Sequence, residues 1–384
     1  MKRYRLAFMV CMGVLLLGRL MTLPAPALAT DTVRDQAKGS LLVYPIFDVI
    51  GANRTKIEIT NRAASAVTVR VTYICQSQDP STVCKTFAGD LPLAKNQTII
   101  LDVGDQLFGA CPTGQGYIVV WAEQLCTATP PQTTCPTATG GTVPDGQYGP
   151  ISYNQLYGSY TLYYNGFANA PSVMCGGVPC SPPATGPFPD VEAANTIAFE
   201  SQQPIFSFLG TGSGAQLSVS FGTTTAFDYV AFPADVQAGF AAPGAALIAG
   251  PSGFSPNIPP DTVSGTELET NIILLNLNIN TFLSNTPAAM SVNAWNWFDK
   301  AFKSTHQFLC WERIPINLID PRLTAAGPFG APYGNIKFTP TPATGPTSPQ
   351  LLGAIEQVST VGRTIRNLGQ SFIAASPATF TADQ

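Results

Sequence analysis

Val67-Thr-Val-Arg-Val-Thr-Tyr73 alternates apolar and polar side chains without a break. Successive side chains of a strand point to opposite faces, so this period of two calls for a sheet with one face buried and the other wet. Similar apolar or β-branched runs cover 41–47, 55–60, 98–103 and 116–122, and Gly51-Ala-Asn53 and Asn61-Arg-Ala63 separate some of them. Further strand-like runs lie at 157–164, 196–199, 216–221 and 271–279. Short strands at a spacing of about 8–12 residues point to sandwiches or barrels. Gly and Pro, 34 of each in 384 residues, concentrate in the stretches 127–150, 166–190 and 238–260, which read as long loops. The expected fold is mostly β: two immunoglobulin-like sandwich units with long Gly/Pro-rich loops, linked by disulfides.

An internal echo supports two units. Thr55-Lys-Ile-Glu-Ile-Thr-Asn61 matches Thr270-Asn-Ile-Ile-Leu-Leu-Asn276, and a strand follows each, 67–73 in one case and 292–297 in the other. Ile99–Asp102 then answers Ile316–Asp320, the strand after Gly114 answers the one after Gly330, and Leu42–Pro45 partly answers Val230–Pro233. The expected organisation is a leader over 1–29, a first sandwich over 30–150, a connecting β and loop region over 151–225, a second sandwich over 226–345, and a tail over 346–384. In the tail, Leu351, Ile355, Val358, Val361, Ile365, Leu368 and Phe372 have the spacing of an amphipathic helix. Gly353, Gly362 and Gly369 weaken it and leave strands open.

Lys2, Arg3 and Arg5, an apolar run from Leu6 to Gly18 and Ala27-Leu-Ala29 form the pattern of a secretory signal peptide. Arg19 cuts the apolar run short of the roughly 20 residues a membrane span requires. No transmembrane span is expected in the mature chain, and the protein is expected outside the cytoplasm: extracellular, at the cell surface or in the periplasm. Four of the 19 basic residues lie in that leader, so the mature chain carries 15 against 23 acidic ones, a net charge of −8. That balance excludes nucleic acid as a partner, since phosphate binding needs clustered Lys and Arg.

Without Cys11, eight cysteines remain, an even number suited to disulfides in an exported chain. Proximity nominates three pairs: Cys75 with Cys84 across a polar turn, Cys126 with Cys135 at the same spacing, and Cys175 with Cys180 in a Gly/Pro-bent loop. No Cys-x-x-Cys occurs and His306 is the only histidine, so neither metal nor cofactor is expected. The nucleophile elbow Gly-x-Ser-x-Gly, the zinc-protease helix motif and the P-loop are also missing. Ser304, His306, Asp299 and Glu312 are close in sequence, but proximity of that kind does not build a triad. Glycoside hydrolysis needs only two carboxylates, and Asp228, Asp235, Asp299 and Glu312 are possible members. Catalytic residues are therefore not assigned.

Three of the four tryptophans, Trp295, Trp297 and Trp311, lie within 17 residues of one another. On a strand Trp295 and Trp297 share a face, where flat rings suit the C–H faces of sugars; buried, they are core. They are the candidate ligand-binding residues. Lys38-Gly-Ser-Leu-Leu-Val-Tyr-Pro45, the Thr-x-Ile-x-Ile-Thr-Asn turn and Phe308-Leu-Cys-Trp311 resemble a group of exported bacterial β-rich proteins of unassigned function. That resemblance implies an exported bacterial β-protein and no catalytic residue. The functional expectation is a non-catalytic structural or adhesive protein whose partner is itself, another cell-surface protein or a glycan. The alternative is a secreted carbohydrate-binding or glycoside-hydrolysing protein.

Overall fold

A computed structural model describes residues 33–372, apart from 36–37, 77–83, 108–110, 139, 165–173, 176–177, 180–189, 202, 211–216, 220–226, 230–232, 248–264, 279–286, 297–299, 326–332, 342–348 and 360–361. The leader pattern therefore lies outside the described residues. The described structure is 64% strand and 4% helix, and every strand pairing within its sheets is antiparallel.

In chain order the first half supplies β1 (Val33–Asp35), β2 (Leu41–Asp48), β3 (Arg54–Asn61), β4 (Val67–Cys75), β5 (Thr86–Leu93), β6 (Thr98–Asp102), the helical turn α1 (Val103–Leu107) and β7 (Gln115–Leu125). It continues with β8 (Thr134–Pro136), β9 (Thr142–Pro144), β10 (Tyr148–Pro150), β11 (Leu156–Tyr164), β12 (Met174–Cys175), β13 (Val178–Pro179), β14 (Asp190–Asn195) and β15 (Ile197–Phe199). The second half supplies β16 (Leu217–Val219), β17 (Phe227–Tyr229), β18 (Pro233–Ala241), β19 (Ala246–Leu247), β20 (Gly265–Asn276), β21 (Ala288–Asn296), β22 (Ala301–Phe308) and β23 (Trp311–Pro315). After them come the turn α2 (Ile316–Ile319), β24 (Tyr333–Thr341), β25 (Leu351–Ser359), β26 (Gly362–Asn367) and β27 (Gly369–Phe372).

Two sandwiches result. The first stacks the sheet β1-β15-β2-β7-β4-β5 on the sheet β14-β11-β3-β6. The second stacks β27-β18-β24-β21-β22 on β26-β25-β20 with β23 beside β20. Substituting β18, β20, β21, β22, β23, β24, β25, β26 and β27 for β2, β3, β4, β5, β6, β7, β11, β14 and β15 turns one order into the other, leaving β1, β10 and β19 without counterparts. Even the turns α1 and α2 follow corresponding strands, β6 and β23. The internal echo in the sequence is thus a duplicated topology. Strands β11, β14 and β15, which fall in the stretch read as a connection, belong to the first sandwich. The tail is strand, not helix: β25, β26 and β27 complete the second.

Register agrees as well. Asn61 pairs with Leu156, and Asn276 with Leu351. Both asparagines are fully buried at a strand end, and each side-chain oxygen accepts the backbone N–H two residues on, from Ala63 and Asn278. Thr55–Asn61 and Thr270–Asn276 are therefore equivalent residue by residue. The echo of 67–73 in 292–297 holds only as a strand, and that of Leu42–Pro45 in Val230–Pro233 lies mostly outside the described residues. Val67 corresponds to Ala288 rather than Val292, because Cys75 and Asn296, the last residues of equal nine-residue strands, both face a glycine, Gly116 and Gly334. Ile316–Asp320 is the turn α2, so the counterpart of β6 is β23.

The pairings β3–β6 and β4–β7 are those of the second with the fifth strand and the third with the sixth in an immunoglobulin sandwich. The outer strands differ, because β2 lies beside β7 and β11 beside β3. The alternation at 67–73 forms a strand with Val67, Val69, Val71 and Tyr73 buried on one face; on the other, Thr68 and Arg70 are half-buried and Thr72 is buried as well.

The two sandwiches share an apolar joint within one unit. Strand β2 is buried on both faces and packs against β20 and β25. Ile273, Leu275, Leu352, Ala354 and Trp311 of the second sandwich join the core of the first. Their neighbours Ile272, Leu274 and Ile355 face the other way, into the second core with Phe240, Val292 and Phe338.

Candidate functional site

The three candidate tryptophans do not form one platform. Trp311 starts β23 inside the joint, 3% exposed, and its Nε1–H donates to the Pro45 carbonyl at 2.8 Å. It is a structural residue of the interface. Trp295, on β21, is 36% exposed on the outer face of the second sandwich. Its strand neighbours Ala294 and Asn296 are buried, as alternation requires. Trp297 lies outside the described residues.

Among the described residues the cysteines make three disulfides: Cys75–Cys111, Cys84–Cys310 and Cys126–Cys135. The last is the pair nominated by spacing. The proposed Cys75–Cys84 pair is corrected, and the reason is register. The N–H of Cys75 donates to the Lys85 carbonyl, so Lys85 and not Cys84 stands opposite it. Side chains one residue apart on a strand point to opposite faces. Cys75 instead meets Cys111, just before the adjoining strand β7, while Cys84 reaches Cys310 of the second sandwich, 226 residues away. The Cys175 side chain and Cys180 lie outside the described residues.

His306 and Glu312 form a pair with Nε2···Oε2 at 2.5 Å, joining β22 to β23. Asp235 holds Lys337 at 2.6 Å. Two of the four carboxylates weighed for hydrolysis are thus engaged with a histidine or a lysine. Asp299 and the side chain of Asp228 are outside the described residues. Among the described residues no three His, Cys, Asp or Glu side chains cluster as metal ligands.

Sequence reading missed the most heavily charged interior feature. Glu356 on β25 is fully buried at one end of the joint. It accepts from Tyr164 Oη at 2.9 Å, Asn271 Nδ2 at 2.9 Å, Arg313 Nε at 2.7 Å and Arg363 Nη1 at 2.6 Å. Arg363 also lies over the Tyr164 ring, 3.9 Å from its centroid, and Arg313 approaches Asp48 of the first sandwich at 3.6 Å. Burial alone would raise the Glu356 pKa, but Arg313 and Arg363, with the Asn271 bond, outweigh it and hold the carboxyl below its ordinary value. Burial, reinforced by that carboxylate, pushes the Tyr164 hydroxyl far up, so it stays a donor. Both carboxylate oxygens of Glu356 are satisfied, Asn271 Oδ1 has no partner among the described residues, and the cluster fastens the two sandwiches together. Its residues are scattered over 316 positions, and no spacing rule would have assembled them.

Glu123 on β7 is the opposite case. It is 3% exposed, and its Oε1 makes no hydrogen bond among the described residues. Burial pushes its carboxyl up to about 8, with Asp90 adding to the rise and Arg70 opposing it. It is protonated at neutral pH.

No family model matches the chain, and no curated protein matches it. Among solved structures, a chain of the cryo-EM structure of broad bean stain virus is 9% identical, with 91% of this chain and 96% of the viral chain covered, at a TM-score of 0.18. A likeness at that score carries no argument.

Proposed function

We propose that the protein is an exported, non-catalytic structural or adhesive component of the bacterial cell surface or extracellular space. The observation that carries this reading is the Cys84–Cys310 bridge. It ties one sandwich to the other across an apolar joint, a form of reinforcement that persists where thiols are oxidised. The leader pattern at 1–29 and the net charge of −8 on the remainder support the same compartment. The buried Glu356 cluster, bonded to residues of both sandwiches, further supports a rigid body rather than a hinged one.

A second reading, carbohydrate binding, is favoured by one observation, the exposed Trp295 on an open sheet face.

Fractionation of the native cells, with intact-mass analysis before and after reduction, tests the leading reading. The expected result is an exported chain starting at Thr30 with no free thiol. A cytoplasmic chain with its leader intact and several alkylatable thiols would overturn it. Gel filtration of the native protein then separates a polymeric structural role from an adhesive monomer.

A further inference from the structure

The duplicated topology supplies an internal control on every surface position. The outer face of the β2-β7-β4 region is covered by the second sandwich, whereas its counterpart, β18-β24-β21, has no third sandwich over it among the described residues. Register matches the two faces side chain for side chain. Opposite Ile74 on the first stands Tyr117, and opposite Thr72 stands Val119, itself paired with Val43. On the second, Trp295 faces Asn335, and Asn293 faces Lys337, which pairs with Gln237. Thus Tyr117, Val119 and Val43, all fully buried, are replaced by Asn335, Lys337 and Gln237, and the buried Trp121 by Thr339. That exchange is what an open sheet face needs. One position departs from it: the fully buried Ile74 is answered by a larger aromatic, Trp295, 36% exposed.

We infer that this outer face is a carbohydrate-binding surface, with the Trp295 ring stacking on a pyranose and Asn293, Asn335 and Ser291 bonding to its hydroxyls. Trp295 stands at one end of a grid of amides and hydroxyls, with rows about 4.8 Å apart between strands and about 6.8 Å apart along them. The chemistry favours a sugar over other partners. A protein partner needs an apolar core to its interface, and Trp295 is the only large apolar side chain exposed on this face among the described residues. A polyanion needs several free cations; Lys337 is held by Asp235, which leaves Lys303, opposite Asn293, to act alone among the described residues of these strands. An aromatic plate flanked by amides and hydroxyls is what remains, and it matches a pyranose, which has apolar C–H faces and a polar rim.

This inference rests on the carbohydrate reading above and does not need export. The test is retention of the purified full chain on microcrystalline cellulose, chitin, dextran, hyaluronan and peptidoglycan sacculi, with thermal melts of each variant. The expected result is retention on at least one of them, falling at least tenfold in Trp295→Ala and at least threefold in Asn335→Ala, with melting points close to that of the parent. Ile100→Ala, on the opposite outer face of the molecule, should bind like the parent. The inference is overturned if none of these polysaccharides retains the parent, if Trp295→Ala binds as the parent does, or if Trp295→Ala loses only a protein partner. Cytoplasmic location or release of reducing ends during the incubation would instead overturn the exported, non-catalytic reading and leave this face standing.

Discussion

At the residue scale, Glu123 carries the clearest consequence for stability. In the unfolded chain its carboxyl ionises near 4.5, and in the folded chain near 8. Between those values the folded state holds the extra proton, so stability falls as pH rises through that window. Replacing it with Gln removes the ionisable group and keeps the shape. Glu123→Gln should melt with the parent near pH 4.5 and be more stable by about 2 kcal/mol at pH 8, after allowance for solvent screening. Urea unfolding at the two pH values checks this; equal stabilities at pH 8 would show that Glu123 ionises freely in the fold. Glu356 has the opposite sign. Its stabilising effect is present above the ordinary carboxylate range and is lost as acid protonates it. Nothing in the sequence separates these two glutamates, because each sits in an unremarkable strand. Their difference arises from what faces them in space: two arginines in one case, and one opposing arginine with an aspartate in the other.

At the element scale, a strand reveals itself by its period, and its partner does not. The alternation in β4 and the Thr-x-Ile-x-Ile-Thr-Asn turn ending β3 were readable because each is local. Leu351–Ser359 was ambiguous because β25 is buried over almost its whole length. A strand covered on both faces loses the alternation that would mark it, and chance apolar spacings of three and four then imitate a helix. Its glycine was the better clue. A Cβ at Gly353 would stand 2.2 Å from the Ile273 carbonyl oxygen, and at the equivalent Gly158 one would stand 2.6 Å from the Tyr44 hydroxyl. The first obstacle is backbone, so Gly353→Ala should cost about 2–3 kcal/mol, the range for overpacking a filled interior. Thermal melts check it, and a loss below about 0.5 kcal/mol would mean that β20 and β25 separate easily. Spacing found Cys126–Cys135 but not the partner of Cys75, for a related reason: one residue of register decides which face a cysteine takes.

At the scale of the whole molecule, the joint sets the properties. Its apolar face, the Glu356 cluster and the Cys84–Cys310 bridge act on the same two bodies. Cys84→Ser with Cys310→Ser opens a loop of 226 residues. On chain-entropy grounds that should cost about 5 kcal/mol while leaving each sandwich its own core. Calorimetry of the double variant should show a lower transition, and an unchanged one would mean that the joint holds without its bridge. The candidate ligand face was only partly legible in advance. Trp295 stood out by composition, but the burial of Trp311 follows from a packing of two halves that no linear pattern encodes. The way the halves pack has one more consequence. The joint places the β2-β7 side of one copy of the fold on the β20-β25 side of the other, a head-to-tail contact that does not close on itself. Contacts of that kind generate open fibres when every unit carries both surfaces. The free end that would repeat the joint carries a hydrophilic terminus instead: Lys56, Glu58 and Thr60 stand where Asn271, Ile273 and Leu275 stand in the joint. A chain bearing Ile at 58 and Leu at 60 on one end, and Val at 237 and 337 on the other, would have no such terminus.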